Sequence, residues 1–324
     1  MTGRRSRYAR SAALAALCLA ACARAPEPER PHYLLEDPPA SRDLVGKLSF
    51  HETREEDTLV DLAPELGVGY VELLAANPGV DPWLPGDKTL LTVPGARLLP
   101  SGKREGIVVN TGDLRLYWFP KDGTVHAYPI GIAKDGYATP LGVTTVKAKK
   151  EKPTWVPGES AHRDDPNLPD AIPPGPKNPL GEYALYLGWP SYLIHGTNEP
   201  RGVGRHSSRG CIRLYPADIA ELYTAVALGT PVRVVHEPVK LGWIAGELYL
   251  EVNPDEDQSL ELDENGKLDK VNPAKGLRDL ITRAAGKDAK RIDWALVERA
   301  GQRRVGVPTR ITRPVAKTPV AKQE

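Results

Sequence analysis

The sequence predicts a mainly β protein with some α-helix: a small strand–helix–helix–strand unit, a larger β-rich domain of sandwich or barrel type with one packed helix, and a small C-terminal α/β appendage. Three observations predict this. Two short helical patterns lie between strand-like runs over residues 48–93, and from about residue 105 apolar and polar residues alternate as in strands. In the larger domain, one convincing helical period runs from Pro216 to Gly229.

Composition excludes several classes of function. The chain has 43 Lys and Arg against 42 Asp and Glu, so its formal charge of +1 offers no general attraction for nucleic acid. No apolar run approaches the roughly 18 residues that a membrane-spanning helix needs. We therefore expect no nucleic-acid partner, and contact with a membrane only at the N-terminus.

The N-terminus has the pattern of an export signal. Four arginines precede a short apolar stretch over residues 11–21, which ends in Leu19-Ala20-Ala21 before Cys22. This resembles a bacterial lipoprotein signal peptide, with residues 1–21 removed and Cys22 lipidated. The resemblance implies a periplasmic protein held by its lipid to the outer membrane of a Gram-negative-type envelope. An ordinary secretory signal and an N-terminal core helix are the alternatives.

The chain has three cysteines, at positions 18, 22 and 211. Removal of the signal eliminates the first and lipid occupies the second, so Cys211 is the one thiol left and no intramolecular disulfide is expected. A lone thiol in an oxidising compartment is either buried and inert or retained for its reactivity.

Residues 22–47 are rich in proline and charge and are predicted to form a flexible tether. Residues 48–94 follow as the strand–helix–helix–strand unit, in which Thr58 caps the first helix and Asn77-Pro78 ends the second. The DTL, NP and LPG sequences that punctuate this unit resemble a LysM module, which implies binding to the N-acetylglucosamine-containing glycan of peptidoglycan. Glu56 departs from the usual glycine, and a spacer without affinity for glycan stays open as the alternative.

Residues 104–236 are predicted to form the β-rich domain. Within it, the proline-rich residues 152–181 are unsuited to strands and are predicted to form a long surface loop or lid. Residues 239–300 are expected to be the appendage, with a strand near 246–252, an acidic turn region and one or two helices. Residues 302–324 carry six basic side chains against one acidic side chain and are predicted to be a disordered basic tail.

The stretch whose residue types suit catalysis runs from His195 to Arg213. A cysteine is a strong nucleophile as the thiolate, and Arg209 and Arg213 flank Cys211 two residues away on either side. If the strand ending at His195 lies beside the strand that begins at Cys211, imidazole and sulfur meet. The backbone N–H groups of Arg209, Gly210 and Cys211 are then candidates for an oxyanion hole.

The string HGT at 195–197 with GVGRHSSRGCIR at 202–213 closely resembles the signature of YkuD-type L,D-transpeptidases. These enzymes cross-link or decorate peptidoglycan through an active-site cysteine. TPLG at 139–142, PTWVP at 153–157 and PPGPKNPLG at 173–181 extend the resemblance, which covers residues 48 to about 240. It implies the following roles: Cys211 as nucleophile; His195 as base, oriented by the main-chain carbonyl of Gly196; Ser208, Arg209 and Gly210 as support; Arg213 as a ligand for a substrate carboxylate.

The resemblance implies attack on a stem tetrapeptide, release of its terminal D-alanine and transfer of the acyl group to an amine. That amine belongs to an outer-membrane lipoprotein lysine or to a second diamino acid. Hydrolysis by an L,D-carboxypeptidase or amidase of the same fold, and an inactive LysM-bearing wall-binding lipoprotein, are the alternatives. No metal or organic cofactor is implied, although His195, His206 and Cys211 are residue types that bind zinc. Trp155, in the lid, is a candidate for substrate contact.

Overall fold

The computed structural model describes residues 32–34, 43–268 and 274–313. The predicted signal over 1–21, the lipidation site Cys22 and the last part of the predicted tail lie outside these residues. Within the described ranges, no helix combines the length and the apolar composition that crossing a membrane requires.

The strands and helices follow one another along the chain with these bounds. The strands are β1 His32–Leu34, β2 Leu44–Val45, β3 Ser49–Glu52, β4 Leu90–Val93, β5 Arg97–Leu98, β6 Gly106–Asn110, β7 Arg115–Phe119, β8 Thr124–Pro129, β9 Ile132–Ala133, β10 Gly142–Glu151, β11 Tyr183–Leu187, β12 Leu193–His195, β13 His206–Ser208, β14 Ile212–Arg213, β15 Pro231–Val235, β16 Val239–Ile244, β17 Glu247–Val252 and β18 Thr309–Arg310. The helices are α1 Leu59–Glu65, α2 Tyr70–Ala76, α3 Glu159–Asp164, α4 Pro216–Ala225, α5 Glu256–Asn265, α6 Leu277–Ala285 and α7 Trp294–Arg303.

The N-terminal module has the predicted strand–helix–helix–strand order, with β3 and β4 paired antiparallel around α1 and α2. Thr58 caps α1, because its side chain accepts a hydrogen bond from the Asp61 N–H at 3.2 Å. Asn77 ends α2 and binds the main chain of Thr92 in both directions, at 2.7 and 2.9 Å. This side chain therefore joins the end of the second helix to the closing strand.

The largest sheet has nine strands in the order β1-β8-β7-β6-β15-β10-β11-β12-β14. β6 pairs with β15 in parallel, and β12 pairs with β14 in parallel. The strand order ends at β1 and β14, but an antiparallel bridge between Gly131 and Arg213 brings β14 against the segment that follows β8. The expected β-rich domain is confirmed, with its sheet curved into a half-barrel. The predicted helix α4 begins at Pro216 and buries Ile219 and Leu222 against the sheet core.

Two parts of the predicted tether are strands instead. β1 adds to the edge of β8 over His32–Leu34, and β2 pairs with β5. An edge strand offers a row of unpaired backbone groups, so a neighbouring segment gains hydrogen bonds by joining it whatever its side chains are. The composition of residues 22–47 does not reveal this pairing.

The appendage is a β16–β17 hairpin with β18 added antiparallel to β17, covered by α6 and α7. The acidic turn region is a helix, α5, because Asp255 caps it and Gly266 ends it in the left-handed conformation at φ 70°. The expectation of a disordered tail from residue 302 is wrong for residues 302–313, since β18 and the buried Ile311 belong to this core. Residues 314–324 lie outside the description.

The three modules meet at a buried ionic cluster, here named the module junction. Glu72 of α2 receives the guanidinium groups of Arg97 and Arg115, the latter at 2.6 Å. The ammonium of Lys240 lies 2.6 Å from Asp113 and 2.8 Å from a second carboxylate, that of Glu251. The six side chains of the junction are at most 8% exposed, and their three positive charges match their three negative charges.

Candidate active site

The register of β12 and β14 brings the predicted reactive residues to one face. Ile194 pairs with Ile212 and His195 with Arg213, so Cys211 lies beside Leu193. Side chains alternate between the faces of a strand, so the two isoleucines point into the core, where both are at most 1% exposed. Cys211, His195 and Arg213 therefore share the opposite face, and all three line one cleft.

His195 is held as a neutral base. Its Nδ1 lies 2.6 Å from the carbonyl oxygen of Gly196, so Nδ1–H donates to that oxygen and Nε2 keeps its lone pair. Burial, followed by the charge of Arg213, lowers the pKa of His195 to about 3, although the bond to Gly196 acts in the opposite direction. The imidazole is unprotonated at neutral pH, as a general base must be.

Cys211 rests as a thiol. Burial raises the pKa of the Cys211 thiol, while an N–H group at Leu193 and the charge of Arg213 lower it by less. The sequence expectation that flanking arginines favour the thiolate is thus outweighed by desolvation in the free protein. The thiol donates to the carbonyl oxygen of Ser191 at 3.5 Å. A nucleophilic role for this thiol would therefore require its deprotonation by a neighbouring base.

A tight turn from Ser208 to Cys211 presents the sulfur. The Ser208 hydroxyl donates to the carbonyl oxygen of Cys211 at 2.6 Å and accepts from the Gly210 N–H at 3.0 Å. Gly210 has φ 119°, and a Cβ there would lie 2.8 Å from the Tyr192 ring, so other residues are strained at this position. Thr139, in the TPLG segment, donates to the Gly210 carbonyl at 3.1 Å.

The hydrogen bonds of this turn reduce the predicted donors of the oxyanion hole from three to two. The Gly210 N–H already donates to Ser208, which corrects the expectation that it is one of three amide donors. The N–H groups of Arg209 and Cys211 stay as the predicted donors. Gly210 serves the site through its left-handed backbone.

Arg213 presents an unsatisfied cation to the cleft. Its guanidinium is largely buried, and its Nε has no hydrogen-bond partner within the described part of the chain. Desolvation lowers the pKa of Arg213 most and Arg209 adds to this, while the charges of Cys211 and Glu199 raise it in part. Because Arg213 lines the cleft, an anion bound there can form charge-assisted hydrogen bonds with its guanidinium.

The predicted lid over residues 152–181 covers a cleft of about 960 Å³. Trp155 lines this cleft, and its main chain pairs with Ile172 across the lid. Asn178 holds the lid together: its side chain is fully buried and donates to the carbonyl oxygens of Pro153, Ile172 and Pro173 at 2.8 to 3.2 Å. The asparagine thus joins the start of the lid to its later part.

The side chain of Arg209 contacts the lid. Its guanidinium lies 2.9 Å from Asp164 at the end of α3, and Asp164 also accepts from Lys134 at 3.0 Å and Tyr137 at 2.9 Å. Hydrogen bonds from Lys134, Tyr137 and Arg209 lower the pKa of Asp164 to about 2. Arg209 thus ties the lid to the turn that carries Cys211, a contact that sequence reasoning missed.

His206 faces away from the sulfur. Its Nδ1 lies 3.1 Å from the carbonyl oxygen of Ala133, and the residue lines a separate, second pocket. Among the described residues, no three His, Cys, Asp or Glu side chains are grouped so as to hold a metal ion. His195, His206 and Cys211 are therefore not arranged as a zinc site in this structure.

Several contacts at the site lack a clear sequence signal. Ser191 adopts φ 67°, an uncommon conformation for a residue other than glycine, and its carbonyl faces the thiol. Asp164 and Asn178 lie in the proline-rich lid, where neither helical nor strand period marks them. Thr139 had a weak signal, since it belongs to the TPLG segment.

The β-rich domain thus brings a thiol, a neutral imidazole and a largely buried arginine together in one cleft beneath the lid. The model of the L,D-transpeptidase catalytic domain family, YkuD, matches residues 104–234. The chain also covers 89% of the probable L,D-transpeptidase ErfK/SrfK of Escherichia coli, at 38% identity over 85% of its own length. The chain belongs to the L,D-transpeptidase family.

Other relatives agree with this assignment. The probable L,D-transpeptidase YcfS of Escherichia coli is 42% identical, over 63% of this chain and 67% of that protein. Among solved structures, the Enterococcus faecium L,D-transpeptidase catalytic domain acylated by ertapenem is 24% identical over 42% of this chain and 99% of that domain, with a TM-score of 0.33. At that score the structural likeness supports no argument about this site.

Proposed function

We propose that this protein transfers the acyl group of a peptidoglycan stem tetrapeptide to an amine, through a thioester on Cys211. One observation carries the proposal. Cys211, His195 and Arg213 share the face of two adjacent parallel strands, in a cleft whose lining contains three arginines and no carboxylate. Such a cleft suits a donor that ends in a free carboxylate, as the stem tetrapeptide does.

In the first half-reaction, Arg213 binds the carboxylate of the terminal D-alanine and places the preceding amide beside Cys211. His195 Nε2 takes the thiol proton as the sulfur attacks the carbonyl carbon of the diamino acid. The N–H groups of Arg209 and Cys211 stabilise the oxygen that becomes negative. His195 then returns its proton to the nitrogen of the leaving D-alanine as the C–N bond breaks, and a thioester remains.

In the second half-reaction, an amine attacks the thioester carbonyl. The new N–C bond forms, the C–S bond breaks, and one amine proton passes through His195 to the leaving sulfur. A lysine of an outer-membrane lipoprotein and the amine of a second diamino acid both fit this step. Water would make the protein an L,D-carboxypeptidase instead. The neutral resting state of His195 suits both half-reactions, because the imidazole accepts a proton first in each.

The N-terminal module supports a site of action at the wall. Trp83 and Leu84 lie on its surface, 58% and 77% exposed. An exposed aromatic ring is the usual platform for the apolar face of a sugar, so we assign glycan binding to this LysM-like surface. The lipid on Cys22 would hold the protein at the outer membrane, with the enzyme in the periplasm beside its substrate.

The test combines the donor with both candidate acceptors. Full-length protein in detergent is incubated with a disaccharide tetrapeptide, with and without a lysine-terminated peptide. The products measured are released D-alanine, the cross-linked dimer and the peptide adduct. Intact-mass spectra detect the thioester on Cys211 and, with a carbapenem as probe, a covalent adduct at the same position.

Cys211→Ala is expected to lose all three products and both adducts while it keeps its binding to isolated peptidoglycan. Ser207→Ala is the matched control in the same loop, because its hydroxyl donates to Gly202 outside the cleft. Trp83→Ala in the Cys211→Ala background should weaken the binding to peptidoglycan. D-alanine released without any acceptor product would point to hydrolysis. No thioester and no D-alanine from the wild type would mean an inactive wall-binding protein.

A further inference from the structure

A second pocket of about 370 Å³ lies between the catalytic domain and the appendage. Its walls come from the turn after β6, from residues 132–141 and from the start of α5. Ile132 and Leu141 supply apolar surface, and Leu141 is 59% exposed. Neither half-reaction described above uses this pocket.

The second pocket and the catalytic cleft share a wall. Tyr137 and Ala138 line both cavities. The carbonyl oxygen of Ala138 closely approaches Gly210, and Thr139, which also lines the second pocket, donates to the carbonyl of Gly210. A molecule in the second pocket therefore lies one thin segment away from the turn that presents Cys211.

The two cavities differ in charge. Arg163, Arg209 and Arg213 line the cleft, and no carboxylate does. The second pocket has the opposite character, because Glu256 lines it together with two histidines and no lysine or arginine. Glu256 is exposed and lies in the first turn of α5.

His206 does not cancel this negative charge. The pKa of His206 is lowered, chiefly by burial, although the charges of Glu256 and Asp263 raise it in part. The imidazole of His206 is therefore neutral at pH 7, and its Nδ1 is engaged by the carbonyl of Ala133 at 3.1 Å. The ring nitrogen that stays open is a hydrogen-bond acceptor, which suits an N–H donor.

Transpeptidation must recognise two groups of opposite charge: the free carboxylate that ends the acyl donor and the primary amine of the acceptor, which is cationic in neutral solution. We propose that the second pocket binds the cationic amine acceptor before transfer, with Glu256 as its counter-ion. This inference rests on the proposed function. Ile132 and Leu141 cover the aliphatic part of the acceptor, and the amine crosses the edge formed by Tyr137 and Ala138 when it attacks the thioester.

The experiment separates the two half-reactions in the full-length protein. Release of D-alanine in a single turnover reports the donor step and serves as the internal reference. The KM of the acceptor is measured for a lysine-terminated peptide in one arm and for the amine of a second tetrapeptide in the other. Glu256→Gln and Glu256→Lys are compared with Asp257→Asn, the next residue of the same helical turn, which is exposed and does not line the pocket.

At low salt, Glu256→Gln should raise the acceptor KM about threefold and Glu256→Lys about tenfold, as the loss and reversal of one exposed charge contact imply. Asp257→Asn should leave it unchanged, and high salt should reduce the differences. The acceptor whose KM changes in the Glu256 variants identifies the source of the amine. A wild-type thioester with an acceptor KM that no Glu256 variant changes in either arm would overturn the pocket assignment alone. If the wild type forms no thioester, the proposed function fails and the acceptor pocket fails with it.

Discussion

The catalytic cleft and the module junction both contain basic side chains, but these side chains have different surroundings in the two regions. At the junction, Arg97, Arg115 and Lys240 face Glu72, Asp113 and Glu251, all six nearly excluded from solvent. In the cleft, three arginines line a surface without any carboxylate, and the Nε of Arg213 has no partner in the described part of the chain. The charges of the junction balance one another, whereas no carboxylate lines the cleft.

This difference distinguishes a charged side chain that stabilises the fold from one that binds a ligand. A buried charge whose partner belongs to the protein stabilises one arrangement of the modules, and loss of either partner leaves the other charge stranded. A buried charge without such a partner destabilises the free protein slightly and is satisfied by a ligand. Variants at the two places should therefore separate stability from activity.

Breaking the junction should have the largest effect. Lys240→Met leaves Asp113 and Glu251 as buried carboxylates without their cation, which should lower the free energy of unfolding by about 3–5 kcal/mol. Urea denaturation followed by tryptophan fluorescence measures this change. Lys103→Met is the control, because that lysine is 75% exposed in its surface pair with Glu105 and should cost at most about 1 kcal/mol. Equal losses in the two variants would remove the distinction drawn above.

Removing the guanidinium of Arg213 from the cleft should lower activity but not stability. Arg213→Met should lower kcat/KM for the tetrapeptide donor by about 10- to 100-fold, the value of one or two charge-assisted hydrogen bonds. Its free energy of unfolding should stay equal or rise, since a partly unsatisfied buried charge is gone. Arg163→Met, at an exposed position of the same cleft, should change kcat/KM by less than about threefold. A large loss of stability in Arg213→Met would make this arginine structural.

The pH dependence of stability sharpens the comparison further. The pKa of His195 is lowered to about 3 in the folded protein, so the unfolded chain binds a proton at this residue between pH about 6.5 and about 3 and the folded protein does not. The stability due to the neutral ring is complete above pH 6.5 and is lost as the pH falls through this window. Relative to His195→Gln, the wild type should lose up to about 1.4 kcal/mol for each pH unit.

Urea denaturation at a series of pH values from 7 to 4 measures this slope in both proteins. The two curves should diverge towards acid, because only the wild type has the buried imidazole. Parallel curves would show that His195 titrates normally in the folded state and is not held as a neutral base by burial.

The sequence predicted much of the site because its chemistry is local. The segment from Ser208 to Arg213 contains a cysteine, a glycine for the turn and flanking arginines, and strand alternation places His195 and Arg213 on the same side once β12 and β14 are adjacent. The strand–helix–helix–strand module was predictable for the same reason, since caps and stops such as Thr58 and Asn77 act within a few residues.

Contacts between distant segments were not predictable. Asp164 meets Arg209 across 45 residues, and Lys240 meets Asp113 across 127 residues, with no period or motif to connect them. The pairing of β1 and β2 with other strands was missed because backbone hydrogen bonds at a sheet edge do not depend on side-chain type. The acidic helix α5 was read as a turn region, although Asp255 and Gly266 are ordinary start and stop residues.

The sequence by itself determined which residues are candidates for the chemistry: one thiol, one histidine at the end of a strand, and a glycine that lets the main chain turn. Only the tertiary structure decided their charge states, because desolvation depends on everything packed around a group and not on its neighbours in the chain. Burial makes the His195 imidazole neutral and keeps Cys211 a thiol, and it leaves the Nε of Arg213 without a hydrogen-bond partner while Lys240 contacts two carboxylates.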